Sequence, residues 1–317
     1  MRNLLSLVVA VASLCTICSA QTITETFGTG DNAFTMEFVT IGNPGNVADT
    51  TGAPNPAGSV AYTYNLGKYE VSRDMITKAN SAGSLGITMQ DMTTYGGNGV
   101  NRPATGISWY EAATYVNWLN TSTGGTAAYK FVGGTFQLWS AGDVGYNANN
   151  MYRNSLAKFV IASRDEWYKG AYGKADGSWS NFPNGSDSAP TAVASGTEAN
   201  TAVYGQSTST GPADITNAGG LSVYGTMGQV GNVYEWNETA YDGTNDTAGE
   251  NRELRGASWE ISGFMGGFLL DASNRLSMGP TSEDRIVGFR VASVPEPSSL
   301  SFLLAGGAVL MARRRKS

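Results

Sequence analysis

The sequence contains no histidine, and its only two cysteines, Cys15 and Cys18, lie within the first 20 residues. The absence of imidazole excludes histidine general bases, histidine-dependent nucleophile triads and the usual histidine-bearing zinc sites. Beyond residue 20 there is also no thiol for a disulfide, a redox pair or a soft-metal site. Any chemistry must therefore come from carboxylates, lysine, tyrosine and serine.

Charged residues are also scarce, at 15% of 317 residues, whereas 41 glycines are spread along the chain. The hydrophobic share of 41% and the aromatic share of 10% are enough for a substantial core,. This composition predicts a folded, loop-rich protein with few long helices. We find no fixed-period repeat and no interdomain linker, so one domain over residues 22–293 is expected.

Residues 1–20 have the layout of a secretory signal. Arg2 is followed by the apolar run Leu4–Leu14 and by the small residues Ser19 and Ala20. This order predicts export and cleavage after Ala20, which would also remove both cysteines. A short buried N-terminal helix is the alternative, and the basic start and the small residues at the end disfavour it.

Residues 294–317 contain Val294-Pro295-Glu296-Pro297, the apolar run Leu300–Ala312 and a basic cluster at 313–316. This order resembles the PEP-CTERM sorting signal of Gram-negative bacteria. The resemblance implies transient anchoring in the inner membrane, processing by an exosortase-type enzyme, and a final location at the cell surface or outside the cell. An ordinary membrane anchor is the alternative, but the run is shorter than the roughly 20 residues of a comfortable spanning helix.

The charge of the remaining chain is strongly negative. Removal of residues 1–20 and 297–317 takes away five basic residues and no acidic residue, so the formal charge falls from −6 to −11. This balance argues against nucleic acid as a partner.

Local patterns predict several elements. Ser108–Glu111 and Ser163–Glu166 are Ser-x-x-Glu patterns that start helices, and Gly173 is expected to end the second one. A third helix is expected after Ser72, and a strand is expected over residues 33–41.

Six segments follow one another in an order that resembles the formylglycine-generating enzyme (sulfatase-modifying factor) domain. They are Gly67–Ser72, Ile107–Leu119, Ser163–Trp167, Tyr224–Trp236, Leu254–Trp259 and Gly288–Val291. Tyr224–Trp236 is the most specific, because it is similar to the family's Gly-Leu-x-Asp-Met-x-Gly-Asn-Val-Trp-Glu-Trp segment. The resemblance implies a C-type-lectin-like α+β fold that is loop-rich, with short helices and small antiparallel sheets.

Several residues in these segments are expected to be structural. The tryptophans are predicted to pack in the core, and three glycines to occupy positions that a side chain would not fit. Two arginines are candidates for buried ion pairs with Glu235 or Asp271. These residues are Trp109, Trp118, Trp167, Trp236 and Trp259, then Gly231, Gly256 and Gly288, and finally Arg255 and Arg290.

The chemistry of the family is missing from this chain. Members that oxidise a sulfatase cysteine hold copper(I) with two cysteines after the segment that matches Ser258-Trp259. Here that stretch is Glu260–Gly267, and its only sulfur is Met265. A related branch holds iron with histidines, which this chain lacks. We therefore expect neither copper nor iron, and we predict no catalytic residue.

Calcium is the cofactor that the resemblance still implies, because oxygen ligands need neither thiol nor imidazole. Gly228 stands where the family often has Asn or Asp, so one side-chain ligand is missing. In the alternative interpretation Asn232 caps a turn and Glu235 pairs with an arginine. The implied ligands are the carbonyls of Gly231 and Val233, the side chains of Asn232 and Glu235, and a second site around Asn200 and Thr201.

Three functional hypotheses follow. The favoured one is a non-catalytic binding or structural protein outside the cell that recognises exopolysaccharide or another surface glycan, with Tyr241, Trp179 and Phe264 as candidate rings for stacking on sugars. The second is an enzyme with replaced chemistry, either a carboxylate-based hydrolase or a divergent oxidase. The third is a rigid spacer without a ligand.

Overall fold

The computed structural model describes residues 21–295. The predicted secretory signal and the sorting segment from residue 296 onward lie outside the described residues. In the described part, no helix is both long enough and apolar enough to span a bilayer.

The helices are α1 (Arg73–Gly83), α2 (Trp109–Ser122), α3 (Arg164–Tyr172) and α4 (Gly263–Leu269). The strands are β1 (Thr22–Phe27), β2 (Phe34–Ile41), β3 (Tyr64–Gly67), β4 (Lys130–Val132), β5 (Thr135–Gln137), β6 (Phe159–Ile161), β7 (Thr191–Val193), β8 (Thr201–Val203), β9 (Tyr234–Ala240), β10 (Arg252–Arg255), β11 (Leu276–Met278), β12 (Val287–Phe289) and β13 (Val291–Ser293).

The larger sheet brings the two ends of the described chain together. Its strand order is β1-β2-β3-β13-β6, and every neighbouring pair is antiparallel. The last strand, β13, therefore lies between β3 and β6, and all three of its residues are buried. The sheet can be completed only when the end of the domain is present.

A second sheet carries the most specific sequence segment. Its order is β11-β10-β9-β12, with β9 and β10 antiparallel and β9 and β12 parallel. Two-stranded sheets are formed by β4 with β5 and by β7 with β8, the latter in parallel. The predicted α+β, loop-rich architecture with small sheets is confirmed, and the two parallel pairs are an addition to it.

The longest helix, α2, is fixed at both ends by side chains. At its start, Ser108 accepts from the Glu111 amide at 3.3 Å, and Glu111 accepts from the Ser108 amide at 2.9 Å. At its end, the Asn120 amide group donates to the Phe159 carbonyl at 2.7 Å and accepts from the Phe159 N–H at 2.9 Å. The capping box predicted from the sequence is thus present, and α2 is anchored to β6.

The other local predictions are also confirmed. Helix α3 starts after Ser163 with the same capping box, and α1 starts after Ser72. Gly173 follows α3 in extended backbone with φ −77°, so the helix ends there without a left-handed residue. The strand expected over residues 33–41 is β2.

The predicted tryptophan scaffold is confirmed by burial. Trp109, Trp167, Trp236 and Trp259 have no exposed surface, and Trp118 is buried. The indole N–H of Trp109 donates to the Asn237 carbonyl at 3.0 Å, and that of Trp236 donates to the Ile107 carbonyl at 2.8 Å. These two bonds join the start of α2 to β9, which positions the segment described next.

Candidate functional site

The turn before β9 is held against β8. Gly231 has φ 75°, and a Cβ there would lie 2.4 Å from the Val203 carbonyl oxygen. Asn232 follows with φ 56°, and its N–H donates to the same carbonyl at 2.7 Å. Gly231 is therefore a position that a larger side chain would not fit, as predicted.

The side chain of Asn232 is committed to protein partners. Its Oδ1 accepts from the Ala213 N–H at 2.8 Å, and its Nδ2 donates to Glu70 Oε2 at 2.7 Å. All of these groups lie in the buried interior. Asn232 joins two loops to the start of β9, and no oxygen of its side chain faces solvent.

Glu235 is committed as well, to an arginine. Arg290 donates from both Nε and Nη2 to the two carboxylate oxygens at 2.6 Å. The indole of Trp167 donates to Oε2 at 2.6 Å. Both members of the ion pair are fully buried, so Arg290 is a buried ion-pair member with one of the two partners that the sequence suggested.

This arrangement decides only whether the two side chains, as placed, could hold a calcium ion. A calcium ion needs several oxygen atoms that converge with free lone pairs. Both oxygens of Glu235 face a guanidinium, whose charge would repel a cation at the same place. The Asn232 and Glu235 side chains as placed do not fit calcium. Glu235 fits the alternative of an arginine pair, whereas Asn232 bridges two distant loops and does not cap its own turn. Calcium at the carbonyls of Gly231 and Val233 stays a prediction.

The second predicted calcium site lies at the start of β8. Asn200 and Thr201 stand at the start of β8, and both line a cavity of about 20 Å³. The Thr201 hydroxyl donates to the Glu198 carbonyl at 2.7 Å. No carboxylate lines this cavity, so it provides only neutral oxygens, and a cation there also stays a prediction.

Glu70 is the residue of this region that sequence reasoning missed. It is buried, and its Oε1 has no hydrogen-bond partner among the described residues. Burial and the negative charge of Glu235 raise the pKa of the Glu70 carboxyl well above its usual range, although Arg290 opposes the shift. A Cβ at Gly228 would lie 3.1 Å from Glu70 Oε2, so the glycine that departs from the family pattern adjoins this carboxylate.

Three other buried glutamates are neutralised by arginines. Arg153 bridges Glu166 at 2.9 Å and Glu238 at 2.7 Å. Glu253 is bound by Arg255 at 2.6 Å. Arg255 is thus paired as predicted, although with Glu253 and not with Glu235 or Asp271. Within residues 21–295, no group of three or more Asp, Glu, Cys or His side chains is placed to hold a metal ion.

The resemblance places the family's cysteines in Glu260–Gly267, and we call this stretch together with the next residue, Phe268, segment 260–268. Glu260 accepts two hydrogen bonds from Arg285, at 2.7 and 2.8 Å. Phe264 and Phe268, four residues apart on α4, are 86% and 68% exposed. The glycine-rich sequence of this stretch gave no helix signal, and the exposure of its rings could not be derived from the sequence.

Behind this segment, polar groups are buried without partners. The Ser258 hydroxyl and the Trp259 indole N–H have no hydrogen-bond partner in the part of the chain described. Trp259 packs near Tyr95, with ring centroids 6.3 Å apart, and Arg285 lies over the Tyr95 ring at 5.0 Å.

The candidate sugar-stacking residues differ in their surroundings. Trp179 is partly buried and packs on Tyr168, with ring centroids 5.5 Å apart. Tyr241 is 40% exposed, but the Arg275 guanidinium lies over its ring at 3.8 Å. Of the three, Phe264 is the most exposed.

Comparison with known proteins identifies the fold and the sorting segment. Residues 32–294 match the family described as sulfatase-modifying factor enzyme 1-like domain. Residues 293–316 match the PEP-CTERM protein-sorting motif, which indicates export with C-terminal membrane-associated sorting and processing by an exosortase-type enzyme. No curated protein matches the chain.

Three solved structures share the fold. Treponema denticola variable protein 1 superposes with a TM-score of 0.59 at 20% identity, covering 86% of this chain and 99% of that one. CarF gives 0.57 at 15% identity, covering 81% and 98%. PvdO from Pseudomonas aeruginosa gives 0.53 at 16% identity, covering 86% and 98%. Identities this low show the fold alone. Since the family match spans nearly all of the described residues, the chain belongs to the sulfatase-modifying factor enzyme 1-like family.

Proposed function

We propose that this exported protein is a non-catalytic binding protein of the cell surface or extracellular matrix, and that it recognises a glycan through segment 260–268. The observation that carries the proposal is the exposure of Phe264 and Phe268 at the place where the family's chemistry requires thiols. Residues four apart lie on the same face of a helix, so the two rings can form one apolar patch, and contiguous exposed apolar patches mark interaction sites.

The chemistry of the segment suits recognition of a sugar. Aromatic faces bury the apolar face of a ligand, while neighbouring polar groups fix its orientation. Here Phe264 and Phe268 would supply the faces, and the half-exposed Glu260–Arg285 pair would supply donors and acceptors. The ion pair also holds the start of the segment to the loop before β12.

Support for a non-catalytic role comes from the carboxylates. A hydrolase of the carboxylate type needs two carboxyl groups that face each other across a substrate cleft. The charge of Glu235 raises the pKa of Glu70, but both carboxyl groups are buried, and Glu235 is bound to Arg290. The pair therefore has no access to substrate in this structure.

The test is affinity electrophoresis of the exported protein in gels that contain purified exopolysaccharide, together with a panel of neutral, acidic and amino-sugar oligosaccharides. We expect retardation by at least one glycan and a roughly tenfold loss of affinity in the Phe264→Ala/Phe268→Ala double variant, which corresponds to about 1.4 kcal/mol.

The matched control is Val47→Ala/Val144→Ala, because both valines are about as exposed as the two phenylalanines. Equal binding by the phenylalanine variant and the wild type would refute a role for segment 260–268. Absence of binding to every glycan would leave the rigid-spacer hypothesis.

A further inference from the structure

The chain leaves the described domain at one end of the larger sheet. Ser293, the last residue of β13, pairs with Asn65 of β3 and with Phe159 of β6. The Val294 N–H then donates to the Lys158 carbonyl at 2.9 Å. The point from which the sorting segment departs is therefore fixed by pairing on both sides of β13.

The described chain begins at the same end of this sheet. The carbonyl of Gln21, the first described residue, accepts from the Thr40 N–H at 3.1 Å, and the Thr40 hydroxyl donates to Asn65 Oδ1 at 2.9 Å. In register, Thr40 stands opposite Asn65, and Asn65 stands opposite Ser293. Gln21 on β1 and Ser293 on β13 are thus three strand spacings apart in the sheet order, or roughly 15 Å. We call this end of the sheet the exit face and define it by Gln21, Thr40, Asn65, Lys158 and Val294.

The exit face is polar and has no unbalanced charge among its members. Gln21 is exposed, and Thr40 and Asn65 are partly exposed. The only basic member, Lys158, forms a partly exposed ion pair with Glu25 of β1 at 2.7 Å. The formal charge of residues 21–296 as a whole is −11. Hydroxyl and amide groups can hydrogen-bond to lipid headgroups, and a face without unpaired charge approaches a membrane at little desolvation cost.

The tether between the exit face and the apolar part of the sorting segment is short. Five residues, Pro295–Ser299, separate Val294 from the apolar run Leu300–Ala312. Fully extended, this stretch spans at most about 22 Å, and the headgroup layer takes up about 5–7 Å of that length. A domain of this size is on the order of 50 Å across. The tether is thus too short to pass around the domain, so the domain cannot turn the exit face away from the bilayer.

We propose that the short tether holds the exit face against the lipid headgroups while the sorting segment is attached, and that removal of the segment frees this face. The inference goes beyond the proposed glycan binding and does not depend on it. It also gives the anchored domain an orientation. The connection between β1 and β2 and the start of α1, which follows the other end of β3, point away from the membrane.

The test is fluorescence quenching in vesicles that contain a lipid with a spin label on its headgroup. The exported protein is produced in a host without an exosortase-type enzyme, so that the sorting segment is retained. Residues 21–317 contain no cysteine, so single introduced cysteines can carry a fluorophore. Gln21→Cys and Ser122→Cys place it at the exit face, because α2 ends where the Asn120 side chain accepts from the Lys158 N–H at 3.1 Å.

The matched controls are Thr29→Cys and Val100→Cys, both at exposed positions. Thr29 follows the other end of β1, and the Val100 carbonyl accepts from the Asp74 N–H at the start of α1. We expect several-fold stronger quenching at Gln21→Cys and Ser122→Cys than at these two positions. Melting curves of the four labelled variants would confirm that each is folded.

Insertion of a flexible Gly/Ser linker of about 20 residues between Val294 and Pro295 would let the domain turn freely, and it should make quenching equal at all four positions. Equal quenching without the linker would refute the inference. A difference that survived the linker would refute the tether as its cause and assign it to lipid binding by the face itself. Shielding of Gln21→Cys and Ser122→Cys only after the processing enzyme is added would assign the face to that enzyme instead.

Discussion

Substitution of Glu235 distinguishes a structural ion pair from a metal ligand, because the two roles predict different effects of calcium on the stability of the variant. Its carboxylate is bound by Arg290 and Trp167 in the buried interior. Glu235→Ala would leave an unpaired buried guanidinium, which typically costs about 3–5 kcal/mol. We expect this loss in the free energy of urea unfolding to be equal in calcium and in EDTA.

The control is Glu25→Ala, which breaks the partly exposed pair with Lys158 and should cost less than about 1 kcal/mol. A destabilisation by Glu235→Ala that occurs in calcium but vanishes in EDTA would contradict the ion-pair interpretation. It would support the calcium ligand that the family resemblance implies.

Glu70 should give the domain a pH dependence of the opposite sign to a salt-bridged carboxylate. Its folded pKa is raised above its unfolded value, so its contribution to stability is complete below about pH 4.3 and is lost as the pH rises toward the folded pKa. Glu70→Gln has no carboxyl group to ionise. We therefore expect this variant to gain stability relative to wild type as the pH rises above about 4.3, as measured by urea unfolding. A difference that stays constant with pH would mean that Glu70 is ionised and compensated in the fold.

At the scale of elements, each capping box is a local set of hydrogen bonds that makes a measurable contribution to the free energy of unfolding. Ser163 accepts from the Glu166 N–H at 3.3 Å, and Glu166 accepts from the Ser163 N–H at 2.7 Å. Ser163→Ala should lower stability by about 1 kcal/mol, whereas Ser81→Ala, on the exposed part of α1, should change it by less than about 0.5 kcal/mol.

Glu166→Gln should cost more than Ser163→Ala, because Glu166 also binds Arg153. Thermal and urea unfolding of the three variants would test this order. A Ser163→Ala variant as stable as wild type would show that packing of Trp167 alone fixes the start of α3.

The same locality explains which elements the sequence could predict. A Ser-x-x-Glu pattern places its donor and acceptor three residues apart, so the starts of α2 and α3 were predictable. The pairing of Arg290 with Glu235 spans 55 residues, and the contact of Asn232 with Glu70 spans 162. Such contacts depend on the packing of whole elements. For this reason the sequence offered the pair of Arg290 with Glu235 only as one of several possible pairs, and it gave no partner for Asn232.

At the scale of the whole molecule, the order of the larger sheet makes the end of the domain essential to its stability. Strand β13 pairs with β3 on one side and with β6 on the other, and the Val294 N–H donates to the Lys158 carbonyl at 2.9 Å. The sorting motif begins at residue 293, so it follows this interior strand without a linker. The larger sheet can therefore form completely only when the chain up to the start of the sorting motif is present.

A truncation series tests this dependence. A chain that ends at Val294 should unfold like the protein with its sorting segment, because every strand is retained. A chain that ends at Arg290 would leave the facing edges of β3 and β6 unpaired in the interior, where each lost backbone hydrogen bond costs about 1–3 kcal/mol. Several such losses approach the 5–15 kcal/mol by which a typical domain is stable, so we expect no cooperative unfolding by circular dichroism.

A chain that starts at Gly30 loses only the edge strand β1, whose residues are mostly not buried. This chain should fold with reduced stability. A cooperative unfolding transition in the chain that ends at Arg290 would contradict the prediction, because it would show that the larger sheet forms without β13.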